Sequence, residues 1–204
     1  MIAMAKISVP PEAAERPLRA DARRNREKVL AAARAAFAEH GSDAQMDDVA
    51  RRAEVGVGTV YRHFPTKEAL FVALLEDTFA RIAERARDSL EQDDPWDAFV
   101  GLMWDAGESL AGDRALAEAM QADLTLEPCP GQLELGEITA ALIKRAQAAG
   151  SMRDDAILED IPLVLCGIGA ATIRKHPAPD AWRRHLAIVL DGLRAQPDCT
   201  PLPE

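Results

Sequence analysis

Apolar side chains recur along this chain mostly at intervals of three and four residues, the spacing that places them on one face of a helix. The strict alternation of a half-buried strand is almost absent, and alanine, leucine, arginine and glutamate dominate the composition. In the first clear example, one face carries Val29, Ala33, Ala36 and Phe37. The pattern predicts an all-α protein of nine helices.

Signals for helix ends divide the first part of the chain. A first helix is predicted at about 22–40, with Asp21 as its N-cap and Gly41 after its last turn. Two short helices are predicted to follow, at about 46–53 and 57–63. They are joined by a tight turn that contains a glycine, which can cap the next helix or take a left-handed conformation.

A proline and a threonine separate the third helix from the fourth. Pro65 prevents the third helix from continuing, and Thr66 is a good N-cap for a helix that extends to about Leu90. Five further helices are predicted after it. The chain is therefore divided into four regions: a loose arm (1–20), a three-helix unit (21–66), a linking helix (67–90) and a helical body (91–204).

The charge is distributed unevenly between these regions. The net charge of −10 by itself argues against a general nucleic-acid binder. From Arg16 to Glu68, however, eleven Lys and Arg residues stand against eight Asp and Glu, whereas from Ala69 onward twelve stand against twenty-four. This asymmetry suits a DNA-binding unit on an acidic body that discourages loose non-specific binding. Solubility explains the acidity of the body equally well.

Residue content predicts neither a disulfide framework nor a metal or cofactor site. The three cysteines are widely spaced without a Cys-x-x-Cys pair, and the four histidines have no metal-ligand spacing. The chain contains no Gly-x-Ser-x-Gly, no phosphate loop, no apolar run of membrane-spanning length and no secretion signal. We therefore expect a cytoplasmic protein that is not an enzyme and has no cofactor.

The most informative segment is 45–64, which predicts two short helices and the tight turn between them. The second of these helices places Thr59, Tyr61, Arg62 and His63 on one short polar surface. A helix of this kind, held across a first helix, enters the major groove in helix-turn-helix proteins. The segment therefore predicts a DNA-binding unit.

Several short runs between residues 24 and 75 match a known pattern. They are Ala35-Ala36-Phe37 with Gly41, Asp48-Val49-Ala50 with Ala53, Val55, Gly58 to Phe64, and Lys67-Glu68-Ala69-Leu70. On these residues the chain resembles the tetracycline-repressor (TetR) family of bacterial regulators. The resemblance implies an Ω-shaped homodimer in which the first three helices bind DNA, the body binds a small molecule, and the last two helices pair across the dimer axis.

The resemblance also implies specific DNA contacts. Tyr61, His63 and Lys67 correspond to phosphate contacts, and Thr59 lies near a phosphate or a base edge. Gln45 is a further candidate at the start of the second helix, where many members have Ser, Thr or Pro. Glu54 and Gly56 also depart from the common pattern, at the turn.

Three more residues of the third helix are candidates on chemical grounds. Arg62 is the best candidate for a base contact, because its guanidinium matches O6 and N7 of guanine. Gly58 has no side chain, so the backbone can approach DNA closely there, and Val57 can touch a thymine methyl. Arg51 and Arg52, on the second helix, are expected on a solvated face or near a phosphate.

Aromatic and methionine side chains concentrate in the body and its linking helix. In one interpretation they line an apolar ligand pocket, and in the other they belong to the helical core. Periodicity does not distinguish the two, and the resemblance favours a pocket for an unknown small-molecule effector. The candidates are Phe79, Trp96, Phe99, Met103, Trp104 and Met120.

Small and apolar residues near the carboxyl end predict close packing of helices. Gly167 and Gly169 permit close approach, and one face of the last helix is apolar. Together they suggest a four-helix homodimer interface, with packing inside one chain as the alternative. The residues on that apolar face are Trp182, Leu186, Val189, Leu190 and Leu193.

These observations predict a ligand-responsive DNA-binding transcriptional regulator, most often a repressor in the family it resembles. It would bind a pseudo-palindromic double-stranded operator as a homodimer and be released by a small apolar or amphipathic effector. One alternative is a helical small-molecule-binding or enzymatic protein with a vestigial DNA-binding head. Another is a constitutive DNA-binding protein without an effector, which a body without a cavity would favour. No membrane partner is expected.

Overall fold

The structure is a computed structural model, and it describes residues 11–113, 116–118, 128–172 and 180–203. Within these ranges the chain forms α-helices and a short 3-10 turn, and it forms no strand. An isolated backbone bridge joins Met152 to Arg194. The all-α class predicted from the sequence is confirmed.

The amino-terminal helices form a compact unit, which we call the head. It consists of α1 to α3 and the first turns of α4. A 3-10 turn follows α1 and begins at Gly41, whose φ of 54° is the left-handed conformation expected of a helix-ending glycine. The helices are α1 (Pro11–His40), α2 (Met46–Arg52), α3 (Val57–His63) and α4 (Lys67–Leu90).

The remaining helices form the body. Residues 116–118 are helical as well, so the described residues contain the nine helices that the sequence predicts. None of the helices in the described ranges is long and apolar enough to span a membrane. The body helices are α5 (Pro95–Gly112), α6 (Pro130–Ala148), α7 (Asp160–Thr172) and α8 (Ala181–Leu193).

The first helix begins earlier than predicted. It starts at Pro11 and not near residue 22, so Asp21 lies inside α1, where it pairs with Arg24 and does not cap the helix. Periodicity missed this extension because residues 11–20 carry no apolar stripe. They are nevertheless rich in Ala, Glu and Arg, which have high intrinsic helix propensity. The part of the predicted arm before Pro11 lies outside the described residues.

The head has its own hydrophobic core, built largely from alanines and medium-sized side chains. Phe37 of α1, Val49 of α2 and Val60 of α3 are almost fully buried in it. Alanines between the helices let the backbones approach closely, and a close-packed core has little freedom to shift. The orientation of α3 is therefore fixed by α1 and α2.

Helix α4 belongs to both parts of the molecule. Leu70 and Leu74 in its first turns are buried in the core of the head, while Ile82 and Ala86 are buried in the larger core of the body. Its N-cap is Thr66, as predicted, whose hydroxyl accepts the Ala69 N–H at 3.1 Å. One continuous helix thus connects the two cores.

The end of α2 contains a backbone conformation that side chains disfavour. The Val55 N–H donates to the Ala50 carbonyl at 3.1 Å, and the Glu54 N–H donates to the Arg51 carbonyl at 3.3 Å. This is the hydrogen-bond pattern of a Schellman motif, which requires a left-handed residue after the helix. Glu54 supplies it with a φ of 56°. Such a conformation costs a residue with a side chain roughly 1–2 kcal/mol.

The end of α6 uses the same motif with glycine. The Ser151 N–H donates to the Ala146 carbonyl at 2.9 Å, the Gly150 N–H donates to the Gln147 carbonyl at 2.8 Å, and the φ of Gly150 is 67°. Because glycine has no Cβ, this end of the body avoids the steric cost that the head accepts at Glu54.

Candidate DNA-binding site and body cavity

Helix α3 buries one face and exposes the other. Val60 and Phe64, one turn apart, are buried in the core of the head. On the outer face Tyr61 is 47% exposed and Val57 is 43% exposed, which is unusual for large apolar or aromatic side chains, and Arg62 is exposed beside them. The sequence therefore assigned these three residues to the correct face.

Thr59 and His63 are half-buried at the edges of this face. The imidazole of His63 packs against Phe64, with 6.3 Å between the ring centroids. Gly58 is exposed, and a Cβ built on it would meet no atom within 4 Å. The packing of the protein therefore does not require a glycine at this position.

Two further cations border the exposed face of α3. The Lys67 ammonium lies 5.8 Å from the centroid of the Phe37 ring, and the Arg26 guanidinium lies 5.6 Å from that of Phe64. Arg26 is exposed on α1 and forms no ion pair with the described residues. Sequence reasoning missed it, because only the packing of α1 against the end of α3 brings it to this surface.

The two arginines of α2 are bound to acidic neighbours. Arg51 pairs with Asp48, and Arg52 binds Asp48 at 2.8 Å and both carboxylate oxygens of Glu39 on α1 at 2.5 and 3.2 Å. The hydrogen bonds from Arg52 lower the pKa of the Asp48 carboxyl and that of the Glu39 carboxyl. These pairs fasten α2 to α1 and leave Arg52 without a free fork for DNA.

Gln45 lies at the N-cap of α2 and is exposed. Its side chain makes no capping bond, and its Nε2 donates to the Asp43 carbonyl at 2.8 Å. The residue is on the surface of the head, but its amide is already bonded to the preceding turn.

The body contains an apolar cavity of about 140 Å³. Its walls come from α4, α5, α6, α7 and the segments beside them, and none of the described lining residues is charged. Its two polar side chains are Gln132 and Thr139, and the Thr139 hydroxyl already donates to the Leu135 carbonyl at 2.7 Å. The apolar walls include Phe79, Ile82, Leu110, Leu116, Leu135 and Ile161.

A second cleft of about 230 Å³ meets this cavity at Phe79 and Gln132. It lies between α4 and the start of α6, and Glu76 is its charged side chain among the described residues. Cys129, a free thiol, lines it as well. The cavity and the cleft together form a site with an apolar inner part and a more polar outer part.

Five of the six predicted pocket residues do not line the cavity. Trp96, Phe99 and Met103 are buried in the body core, Trp104 packs edge-on against Trp182, and Met120 lies outside the described residues. Phe79 does line it. Trp96 and Phe99 lie at the start of α5, whereas the cavity meets that helix near Leu110, about 20 Å along its axis. The aromatic cluster therefore marks core and not cavity.

The residues proposed for a dimer interface are mostly packed inside one chain. Trp182, Leu186, Leu190 and Leu193 are buried in the body core, and Val189 packs against it. Gly169 is buried, and a Cβ on Gly167 would come within 2.6 Å of Nε2 of His185. The close approach that these glycines permit is thus between α7 and α8 of the same chain.

The outward faces of α7 and α8 carry other apolar residues. Leu163 is 72% exposed and Ile188 is 63% exposed, the two highest values among the large apolar side chains of the described residues. Sequence periodicity did not identify them because they lie off the main apolar stripe of each helix.

Arg34 connects the head to the body. Its Nη2 lies 2.6 Å from Asp77 Oδ2 on α4, and its Nε lies 4.0 Å from Asp113 Oδ2 at the end of α5. The Nε–H is buried and has no acceptor. The other oxygen of Asp113, Oδ1, accepts the N–H of Leu116, which lines the cavity. One carboxylate therefore stands between the cavity wall and α1.

Metal binding has no support in the described part of the chain, where no three His, Cys, Asp or Glu residues cluster as a metal site.

Two family models match the chain. The model for bacterial regulatory proteins of the tetR family matches residues 29–74, which include α2 and α3. The model for the C-terminal domain of SbtR-like transcriptional regulators matches residues 94–195 and so covers most of the body.

Relatives of similar length agree with both models. The HTH-type transcriptional repressor KstR of Mycolicibacterium smegmatis is 30% identical, over 90% of this chain and 95% of that protein. The HTH-type transcriptional regulator UidR of Escherichia coli is 27% identical, over 87% and 93%. The crystal structure of a TetR transcription regulatory protein from Mycobacterium vanbaalenii matches with a TM-score of 0.61 and 38% identity, over 87% of this chain and 99% of that one. The chain belongs to the TetR family of bacterial transcriptional regulators, which bind DNA and are not enzymes.

Proposed function

We propose that this regulator represses transcription by binding a pseudo-palindromic operator as a homodimer, and that a small apolar or amphipathic effector releases it. One observation carries the proposal. The outer face of α3 exposes Val57, Tyr61 and Arg62 on a helix whose other face is fixed in a close-packed core. A rigid helix with such an exposed face is suited to the major groove.

The surrounding side chains supply the phosphate contacts in this proposal. Tyr61, His63 and Lys67 set the position of α3 on the duplex without reading sequence, and Arg26 adds a contact from α1. Thr59 and Gln45 lie at the margins of the same surface. Arg62, which has no ion pair in the described residues, reads a base, since its fork fits the edge of guanine.

Gly58 supports close approach of the α3 backbone to DNA. Glycine inside a helix costs roughly 0.5–1 kcal/mol relative to alanine. Since a Cβ here would meet no protein atom within 4 Å, the protein itself gains nothing from the missing side chain. A closely approaching duplex explains why the position carries glycine.

Dimerisation in this proposal uses the outward faces of α7 and α8. Leu163 and Ile188 are large apolar side chains exposed to water on neighbouring helices. A second copy would cover them in a four-helix interface, which explains their exposure in a single chain. The buried residues of α8 then hold that face in shape and do not contact the partner.

Effector binding would reach the head through α4 and Arg34. A ligand in the cavity touches Phe79 and Ile82 on α4 and Leu116 beside Asp113. Movement of Asp113 by about 1 Å would bring its Oδ2 within hydrogen-bonding distance of the unpaired Nε–H of Arg34. An effector that favours one of these arrangements shifts the position of the head. The cavity also counts against a constitutive regulator without an effector.

The test is the affinity for the promoter of the neighbouring gene, measured by fluorescence anisotropy over a series of base substitutions and salt concentrations. Arg62→Ala is expected to lose about 1–3 kcal/mol and to relax preference at one base position. The matched change Arg51→Ala removes an arginine already paired with Asp48 and should leave the preference unchanged. Equal losses for Arg62→Ala at every base position would remove it from base reading.

A glycine pair tests the backbone approach in the same assay. Gly58→Ala should weaken DNA binding while stabilising the free protein. Gly101→Ala in α5, where a Cβ also has open space, should stabilise without changing DNA binding. The absence of any sequence-specific binding by the unaltered protein, at any salt concentration, would contradict the proposed function.

A further inference from the structure

The charge and size of the body cavity restrict the chemistry of the effector, and this inference rests on the effector role proposed above. No described residue that lines the cavity carries a charge, and Thr139 donates its hydroxyl proton to its own helix. The cavity therefore offers an anion no cation. A carboxylate or phosphate inside it would lose its water without compensation, which is strongly unfavourable.

The outer cleft does not supply the missing cation. Its charged group among the described residues is the Glu76 carboxylate, which repels an anion held at the mouth. The next segment of sequence, 119–127, contains Asp123 and Glu127 and no Lys or Arg. Gln132, which both compartments share, is exposed and makes no hydrogen bond in the described part of the chain. Its amide is available to a polar group of the ligand.

The volume limits the size of the apolar part. The inner cavity measures about 140 Å³. An engineered protein cavity of about 150 Å³, lined by Leu, Ile and Phe, stays dry and binds benzene. A single ring or an alkyl group of the same volume therefore fills the inner cavity, and the remainder of a ligand extends past Phe79 into the outer cleft.

We propose that the effector is not an anion: it places an uncharged apolar group about the size of one ring in the inner cavity, and an uncharged or cationic polar end at Gln132 and Glu76. The ligand class is thus a small neutral or cationic amphiphile. Carboxylates and phosphorylated carriers with the same apolar part are excluded by charge and not by shape.

Three probes that differ in the charge of their polar end test the proposal directly. They are 2-phenylethanol, 2-phenylethylamine and phenylacetate, and their binding to the full chain without DNA is measured by isothermal titration calorimetry at pH 7. We expect the alcohol and the amine to bind at least about ten-fold more tightly than phenylacetate, a difference of about 1.4 kcal/mol. Phenylacetate binding as tightly as the alcohol would overturn the charge argument.

Two variants locate the binding. Gly136 lines the cavity on α6, and a Cβ there would meet no atom within 4 Å, so Gly136→Leu fills the cavity without a clash. It should abolish binding of the alcohol, while Gly101→Leu, which also has open space around its Cβ but lies off the cavity, should not. Unchanged affinity in Gly136→Leu, or no binding of any probe, would overturn the placement.

Gln132→Arg provides a test by gain of binding at an exposed position that tolerates substitution. A guanidinium between the two compartments should raise the affinity for phenylacetate about ten-fold and should not raise that for the amine. A subsequent anisotropy titration with operator DNA separates the two hypotheses. A probe that binds but leaves DNA affinity unchanged contradicts the effector role and leaves the ligand class intact, whereas tight phenylacetate binding that releases DNA does the reverse.

Discussion

The head and the body are both built from amphipathic helices, but they place their functional groups differently. In the head the core closes around Phe37, Val49 and Val60, and the candidate groups lie outside on α3. In the body the helices leave a cavity between them, and the candidate site is inside. The comparison teaches that a close-packed unit fixes an outer surface, whereas a unit that binds a ligand internally gives up part of its packing.

The largest expected effect compares one phenylalanine from each part. Phe37 is 2% exposed in the core of the head, so Phe37→Ala should destabilise the protein by about 3–5 kcal/mol. Phe79 is half-buried against the cavity, and Phe79→Ala should cost about 1–2 kcal/mol because it removes fewer contacts. Urea unfolding of both variants checks the difference. Equal losses would mean that the cavity walls collapse onto Phe79 in solution.

The second prediction concerns the connection between the two parts. Asp113→Asn keeps an oxygen to cap Leu116 but weakens the attraction to Arg34, so it should reduce the coupling between ligand and DNA by about 1 kcal/mol. The coupling is the ratio of DNA affinities with and without 2-phenylethanol. Asp105→Asn, on an exposed position of α5, is the matched control. Unchanged coupling in Asp113→Asn would exclude this contact from the mechanism.

The third prediction uses the two helix ends that share a Schellman motif. Glu54→Gly removes the steric cost of a left-handed side chain and should stabilise the protein by about 0.5–1 kcal/mol. Gly150→Ala introduces that cost in the body and should destabilise it by about 1 kcal/mol. Thermal unfolding of the two variants should therefore move the midpoint in opposite directions. The same sign for both would refute the strain at Glu54.

The smallest effect is the dependence of stability on pH. Arg52 lowers the pKa of the Asp48 carboxyl and of the Glu39 carboxyl, so their contribution is complete above the unfolded pKa values near 4 and is lost as pH falls through the folded values. The urea midpoint should fall below about pH 5, and Arg52→Gln should make that fall shallower. Arg23→Gln, at an exposed ion pair of α1, is the control. An identical acid profile for Arg52→Gln would contradict the role of this cluster.

The contrast between head and body also explains what the sequence predicts. The exposed face of α3 follows from seven consecutive residues, because helical spacing alone separates Val60 from Tyr61 and Arg62. The bounds of α3 and α4 were also predicted correctly, since Pro65 and Thr66 are strong local signals.

Features that arise from contacts between distant segments were not predictable in the same way. The cavity is bounded by several helices, and periodicity marks a residue as buried without saying whether its neighbour is an atom or a void. Trp96, Phe99 and Met103 satisfied every rule for a pocket and belong to the core. Arg26 was missed for the same reason, since its place beside Phe64 depends on how α1 packs on α3.

Hydroxyl-radical footprinting of the operator tests the central claim most directly. If the outer face of α3 enters the major groove once in each copy of a dimer, two protected patches will appear about one helical turn, or 34–36 Å, apart. Tyr61→Ala combined with Arg62→Ala should erase both patches together. A single patch, or protection that persists in that double variant, would mean that DNA is bound by some other surface of the protein.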